Sequence, residues 1–364
     1  MANSASKTEP VPVIIWCVPR SCSTAFERGF LQRKDTRCFH EPMGDPFYFG
    51  ETRPNRRYSD EECKKSGYWD KTLEGTMRSL LEPSTYDVDV AKGKTECKYI
   101  FIKDMALYLF APDLLRALHP SSKSYPGEAS SGDKLSKQLQ GLENPTVLPI
   151  DLLRRFKHTF LIRTPQKSVP SYYKCVEEKM MGYSYFDPAE VGYAEIKILY
   201  DWMSNPESSF NKAPEDELAT YPGQIQSQAQ PLPLVDASVL LSNPEHTISS
   251  YCAAVGMPYD PSMLSWESGP VEEFAKWGAF HAVAENSTGF KKETPICDEA
   301  AAAGKRTSTS SASSGSETDT SKPGGSGKRQ LSQEVLDTIT ATMDAYNYLY
   351  ARRTIHAPAA DGKK

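Results

Sequence analysis

Neither a glycine nor a lysine stands between Val11 and Arg28. That absence excludes the G-x-x-x-x-G-K-[ST] loop with which magnesium-dependent nucleotide hydrolases cradle phosphate. The eight cysteines, Cys17, Cys22, Cys38, Cys63, Cys97, Cys175, Cys252 and Cys297, form no C-x-x-C pair. Their scatter through apolar and helical runs argues against a zinc site or a disulfide scaffold and suits reduced thiols. No apolar run approaches the roughly 20 residues needed to span a bilayer. Residues 1–10 are polar and lack the apolar centre of a signal peptide. A soluble, cytoplasmic protein without a membrane partner is expected. Lys and Arg number 42 against 47 Asp and Glu, a net charge of −5 without a basic tract, which speaks against a nucleic-acid partner. Any bound anion is therefore held locally.

What is present begins with residues 11–18, an apolar run bounded by Pro10 and Pro19 and rich in Val and Ile. It reads as a central parallel strand. A small-residue turn follows, then residues 25–32, where Phe26, Phe30 and Leu31 recur at helical spacing. Further strands are expected to end at Cys38-Phe39-His40-Glu41 and to span residues 98–103 and 158–163. Helices are expected near 60–81, 107–118, 166–180, 190–203 and 246–255. This alternation implies one α/β domain, a three-layer α/β/α sandwich around a parallel sheet. Residues 121–144 and 298–330 are dominated by small and polar types, and both are expected to be disordered, with room for a short surface helix at 134–142. Val335, Ile339, Met343, Tyr346 and Leu349 then mark a closing helix over 331–353. The domain plan is thus a disordered 1–10, a folded 11–297, a linker 298–330, the closing helix and a tail 354–364.

The turn Pro19-Arg20-Ser21-Cys22-Ser23-Thr24-Ala25 carries the chemistry. Small side chains between a strand and a helix N-terminus let successive backbone N–H groups face one anion, while hydroxyls and the Arg20 guanidinium add donors. A helix cap after a buried strand would use the same residues. A second feature separates the two readings. Arg163 ends a later strand, and Ser171-Tyr172 follows in the next helix. The pairing of P-R-S-x-S-T with R-x-P-x-x-x-x-x-S-Y resembles the P-loop sulfotransferase superfamily. Residues 235–241, Asn243-Pro244, Val255-Gly256-Met257-Pro258 and Trp266 are similar to a third segment of that family, so the resemblance runs over about 11–292.

The resemblance implies a P-loop fold that binds PAPS, the 3'-phosphoadenosine 5'-phosphosulfate nucleotide. It assigns the 5'-phosphosulfate to Arg20, Ser21, Cys22, Ser23, Thr24 and Ala25, and the 3'-phosphate to Arg163 and Ser171. It implies in-line transfer of a sulfuryl group to a hydroxyl, or less readily an amine, of a small-molecule acceptor, without a metal. Cys22 departs from the glycine usual in the family. No R-K-G motif is evident near the C-terminus, where Lys291 and Lys292 are a weak substitute. The histidine base of cytosolic members is replaced by Met105 in Ile102-Lys103-Asp104-Met105. Other branches use a glutamate past the second strand, which makes Glu41 the expected base, with an ion pair to Arg20 as its structural alternative. Strand alternation would aim His40, the alternative base, away from Glu41. Of the six histidines, His40 alone is expected near the site. Lys103 is expected to support the leaving or sulfuryl oxygens. Residues 47–49 (Phe47, Tyr48, Phe49) and 183–186 (with Tyr183, Tyr185 and Phe186), Tyr193 and Trp202 are aromatic candidates for an acceptor pocket or for plain core. A phosphohydrolase, a sulfonation-assisted eliminase and a nucleotide-binding protein without turnover stay open as alternatives.

Overall fold

A computed structural model describes residues 9–86, 96–212, 225, 226, 228, 230–291 and 331–358. The expected linker 298–330 and Lys292 lie outside them, as does most of 1–10. Five strands form one sheet: β1 (Val11–Cys17), β2 (Thr36–His40), β3 (Tyr99–Met105), β4 (Lys157–Ile162) and β5 (Leu234–Asp236). Their order is β2-β3-β1-β4-β5, and every pairing is parallel. Residues 13–17 of β1 are wholly buried. A strand covered on both faces has no reason to alternate, which is why it reads as an unbroken apolar run.

The chain hops from β1 over β3 to β2, returns to β3, and then crosses β1 to β4. That reversal of direction opens a crevice beyond the carboxyl ends of the strands. Parallel pairing brings the residues that follow β1, β2, β3 and β4 to one edge. Register sharpens this placement, since Lys103 lies beside both Ile15 and His40. The helix after β1 (Ser23–Leu31) packs on β2 and β3, and the closing helix (Gln333–Tyr350) packs on β4 and on the helices Pro165–Glu177 and Tyr193–Ser204.

Several expectations are corrected. The segment near 60–81 is two helices, Asp60–Lys65 and Leu73–Ser79, because Gly67 turns left-handed at φ 80° after the first. The segment 107–118 splits into a 3₁₀ turn, Ala106–Leu109, and the helix Pro112–Leu118. Residues 121–144 are not a disordered insertion. The Ser122 hydroxyl and the Ser124 amide both donate to Asp187 Oδ2, at 2.8 and 2.9 Å, and a helix spans Asp133–Leu139. Buried acids on a distant segment offset an ordering entropy that local composition suggested could not be met. The expected tail also begins bound: Leu234 N donates to Thr354 Oγ1 at 3.0 Å, and Ile355 is buried. Among the described residues, no helix is long and apolar enough to cross a membrane.

Candidate active site

Four non-glycine residues among those described have positive φ, and three of them meet at the strand ends: Arg20 (64°), Cys22 (66°) and Glu41 (45°). Such backbone costs on the order of 1–3 kcal/mol per residue and concentrates where function demands it. Cys22 is the N-cap of the first helix, yet its side chain makes no capping hydrogen bond. The first-turn amides are thus left to another acceptor. Ser21 Oγ is buried without a hydrogen-bond partner. Uncapped amides, an orphaned hydroxyl and a guanidinium in one turn fit an anionic group such as phosphosulfate.

Arg20, Cys22, Ser23, Thr24 and Ala25 line a cavity of about 380 Å³, together with Glu41, Lys103, Arg163 and Ser171. Arg163 Nη1 donates to the Arg20 carbonyl at 3.0 Å, and Arg20 Nε donates to Ser171 Oγ at 3.0 Å. The two sites expected to grip opposite ends of a nucleotide therefore meet at Arg20. Lys291 also lines the cavity.

Glu41 does not pair with Arg20. Its carboxylate accepts from the Lys103 ammonium, and both side chains are almost wholly buried. Burial alone would raise the Glu41 pKa, but above all the Lys103 ammonium beside it holds it down to about 2. The same pair raises Lys103 above the ordinary lysine range against the opposing effect of burial. Both groups are charged in the resting site.

His40 is not aimed away from Glu41. The left-handed turn at Glu41 breaks the alternation, and His40 Nε2 lies 3.7 Å from Glu41 Oε1. Nor is His40 the site's one histidine. His281, from the short helix Gly278–Glu285, lines the cavity with Nε2 at 2.8 Å from His40 Nε2 and Nδ1 at 3.0 Å from Thr24 Oγ1. Burial above all, then the positive charges around it, depress its pKa to about 2. Ligand atoms of His40, Glu41 and His281 lie within 4.8 Å of one another, a spacing that could hold a metal ion. In the structure these groups are engaged with one another, with Lys103 and with Thr24.

Two arginines of the first loop and helix fasten the helix that carries His281. Arg20 Nη1 donates to Phe280 O at 2.6 Å. Arg28 donates to Ala284 O at 2.5 Å and to Glu267 O at 2.6 Å. Of these acceptors, Ala284 O is a carbonyl that the helix end leaves open, whereas Phe280 lies in the first turn of the helix and Glu267 precedes it.

Tyr48, Tyr108, Tyr172 and Tyr183 also line the cavity, with Leu107, Phe280 and Glu190. Of the aromatic candidates, Tyr48 and Tyr183 line it, whereas Phe47, Tyr193 and Trp202 belong to the core. Glu190 is a buried acid accepting from Arg57 Nη2 (2.6 Å), Asn55 Nδ2 (2.8 Å), Ser124 Oγ (2.8 Å) and the Tyr172 hydroxyl. Its charge is fully matched, so this wall of the cavity is polar but neutral.

A parallel α/β sheet whose switch-point crevice holds an uncapped helix N-terminus and several cations has the architecture of the doubly wound α/β class, with a crevice suited to an anionic group. Residues 229–304 match the family described as "Sulfotransferase domain". Over 212 residues the chain is 27% identical to "Sulfotransferase ppzF" of Metarhizium majus (strain ARSEF 297), covering 56% of this chain and 57% of that protein. It is also 25% identical over 283 residues to "Branched-chain-amino-acid aminotransferase-like protein 1" of Arabidopsis thaliana, covering 78% of this chain but 37% of that protein. The chain thus spans little more than a third of the length of that plant relative. A solved structure titled "Sulfotransferase Domain from the Curacin Biosynthetic Pathway" aligns with 79% of this chain and 85% of its own, at 14% identity and a TM-score of 0.33. The sulfotransferase-domain match and the fungal relative support a likeness of this chain to the sulfotransferase superfamily.

Proposed function

We propose that the protein transfers a sulfuryl group from PAPS to a hydroxyl of a small molecule. The observation that carries this reading is the meeting, on one cavity, of Arg20 and the loop residues Cys22 to Ala25, the pair Arg163 and Ser171, and the buried ammonium of Lys103, with Ser21 fully buried and outside the lining. When bound, PAPS supplies a sulfuryl group already activated by its link to phosphate. First-turn amides and the hydroxyls of Ser21, Ser23 and Thr24 hold the 5' end, and Arg163 with Ser171 holds the 3'-phosphate. Lys103 neutralises charge developing on the leaving oxygen. Glu41, the carboxylate expected to take the acceptor's proton, serves instead as the counter-ion that keeps Lys103 charged and directed at the cavity.

Incubation with PAPS and candidate acceptors, following both adenosine 3',5'-bisphosphate and the acceptor's mass, tests the reading. Bisphosphate release matched by a lasting gain of one sulfuryl group is the expected result. Release without that gain would favour an eliminase or phosphohydrolase. Tight binding without release would favour a protein that has lost turnover.

A further inference from the structure

Glu27, His40, His281 and Thr24 form one hydrogen-bonded file from the core to the cavity. His40 Nδ1 lies 2.6 Å from Glu27 Oε2, the two Nε2 atoms of His40 and His281 lie 2.8 Å apart, and His281 Nδ1 lies 3.0 Å from Thr24 Oγ1. The contacts join positions 13, 241 and 257 residues apart in sequence. Glu27 is completely buried, and its second oxygen, Oε1, has no hydrogen-bond partner. With Glu27 as a carboxylate, which can only accept, the proton between them lies on His40 Nδ1. A neutral His40 then accepts at Nε2, His281 donates from Nε2, and the His281 Nδ1 lone pair is left facing the Thr24 hydroxyl and the cavity. In this arrangement one buried acid sets the tautomers of both rings.

We propose that His281 takes the proton of the acceptor's hydroxyl, and that His40 and Glu27 position it and receive the resulting charge. The assignment rests on the sulfuryl-transfer reading. With donor bound, the Thr24 hydroxyl turns to the donor's phosphate and the acceptor's hydroxyl takes its place at His281 Nδ1. The acceptor oxygen forms its bond to sulfur as the bond from sulfur to the bridging phosphate oxygen breaks. The electron pair of that bond stays on the phosphate beside Lys103. The acceptor's proton passes to His281 Nδ1, the Nε2 proton of His281 moves to His40 Nε2, and the positive charge comes to rest against Glu27.

Two features favour this route over Glu41. Protonating Glu41 would strip a buried ammonium of its counter-ion, a costly change in the interior. Protonating the histidine file leaves no charge unmatched, because Glu27 has acceptor capacity to spare. Burial lowers the proton affinity of His281 itself, so the ring acts as a relay and the proton comes to rest on His40 beside Glu27, the geometry of the file providing the path.

The test uses the full chain, PAPS, and two probe sets: simple alcohols, and nitrophenols that are ionised at the assay pH. His281→Gln is expected to lower kcat for alcohols by about a hundred- to ten-thousandfold, to lower it far less for the nitrophenols, and to leave bisphosphate affinity within about threefold. Imidazole added to His281→Ala should restore part of the alcohol activity. Glu27→Gln should lower alcohol kcat in the same acceptor-dependent pattern. Nitrogen-15 histidine spectra of the wild type give a readout independent of variants: Nδ1–H on His40 and Nε2–H on His281. The opposite tautomers, an equal loss for alcohols and nitrophenols, or retained turnover in His281→Gln with the loss moved to Glu41→Gln would overturn the assignment. A wild type that binds the bisphosphate and shows the expected tautomers but sulfonates no probe overturns the transfer reading and the base role with it. Retained transfer with the wrong tautomers overturns the base role alone.

Discussion

At Cys22 the backbone takes φ 66°, a conformation in which the Cβ of an L residue crowds the neighbouring carbonyl. The glycine usual in related loops would avoid that cost, so the residue type departs from the pattern while the backbone keeps its geometry. Cys22→Gly should therefore fold with a stability within about 1 kcal/mol of the parent, since relief of strain is offset by glycine's larger unfolded-state entropy. Cys22→Val, branched at Cβ, should lose at least about 1 kcal/mol. Urea unfolding of the two variants checks this, and equal stability would mean that the turn relaxes out of the left-handed region. Glu41 and Lys103 make a sharper case. Each is nearly inaccessible, so either substitution alone leaves a buried charge unmatched. Glu41→Gln and Lys103→Met should each cost roughly 3–5 kcal/mol, and the double variant should recover most of it. Simple addition of the two losses in that cycle would show that the pair is not coupled.

Among the elements, β1 and β4 were legible because fully covered parallel strands read as apolar runs, and the loop after β1 because small residues between strand and helix suit few other purposes. Other features depend on contacts that no local pattern encodes. His281 reaches His40 across 241 residues of chain, and its short helix carries no mark of that destination. The orientation of His40 was misjudged because alternation holds only while the strand continues, and Glu41 leaves it. Residues 121–144 looked unstructured because their partners, Asp187 and Glu190, lie in another segment. At the end of β4, the position of Arg163 is testable at the same scale. Its guanidinium lines the cavity and reaches the Arg20 carbonyl with one nitrogen. If it grips the 3'-phosphate, Arg163→Ala should weaken binding of adenosine 3',5'-bisphosphate by about 10- to 150-fold, the range of a charge-assisted hydrogen bond. AMP, which lacks that phosphate, should lose no more than about threefold. Calorimetric titration of both nucleotides decides: matching losses would make Arg163 a support for the Arg20 turn and no more.

For the whole molecule, the join between β1 and β4 sets an acid limit on stability. His158 is fully buried against Trp16, accepting from Trp16 Nε1 at Nδ1 (3.0 Å) and donating from Nε2 to the Leu153 carbonyl (2.8 Å). Both ring nitrogens are satisfied by the neutral tautomer, and a second proton at Nδ1 would meet the indole N–H. Burial lowers the His158 pKa from the ordinary 6.5 to about 4, with the Leu153 hydrogen bond pulling weakly the other way. Because the folded pKa is the lower one, the unfolded chain binds more protons between these values. The contribution is fully present above about pH 6.5 and is lost as pH falls towards about 4. A shift of this size corresponds to about 3 kcal/mol. His281, depressed in the same direction, adds to the same limb, so the experiment must be a difference between chains that share it. Unfolding free energies of the parent and of His158→Gln, measured near about pH 7.5 and about pH 4.5, supply that difference. The parent should lose about 2–3 kcal/mol more than the variant over this interval, even though the variant starts less stable. Parallel losses would mean that His158 is already solvated or protonated in the folded protein, and that the acid limit belongs to the histidines of the cavity rather than to the centre of the sheet.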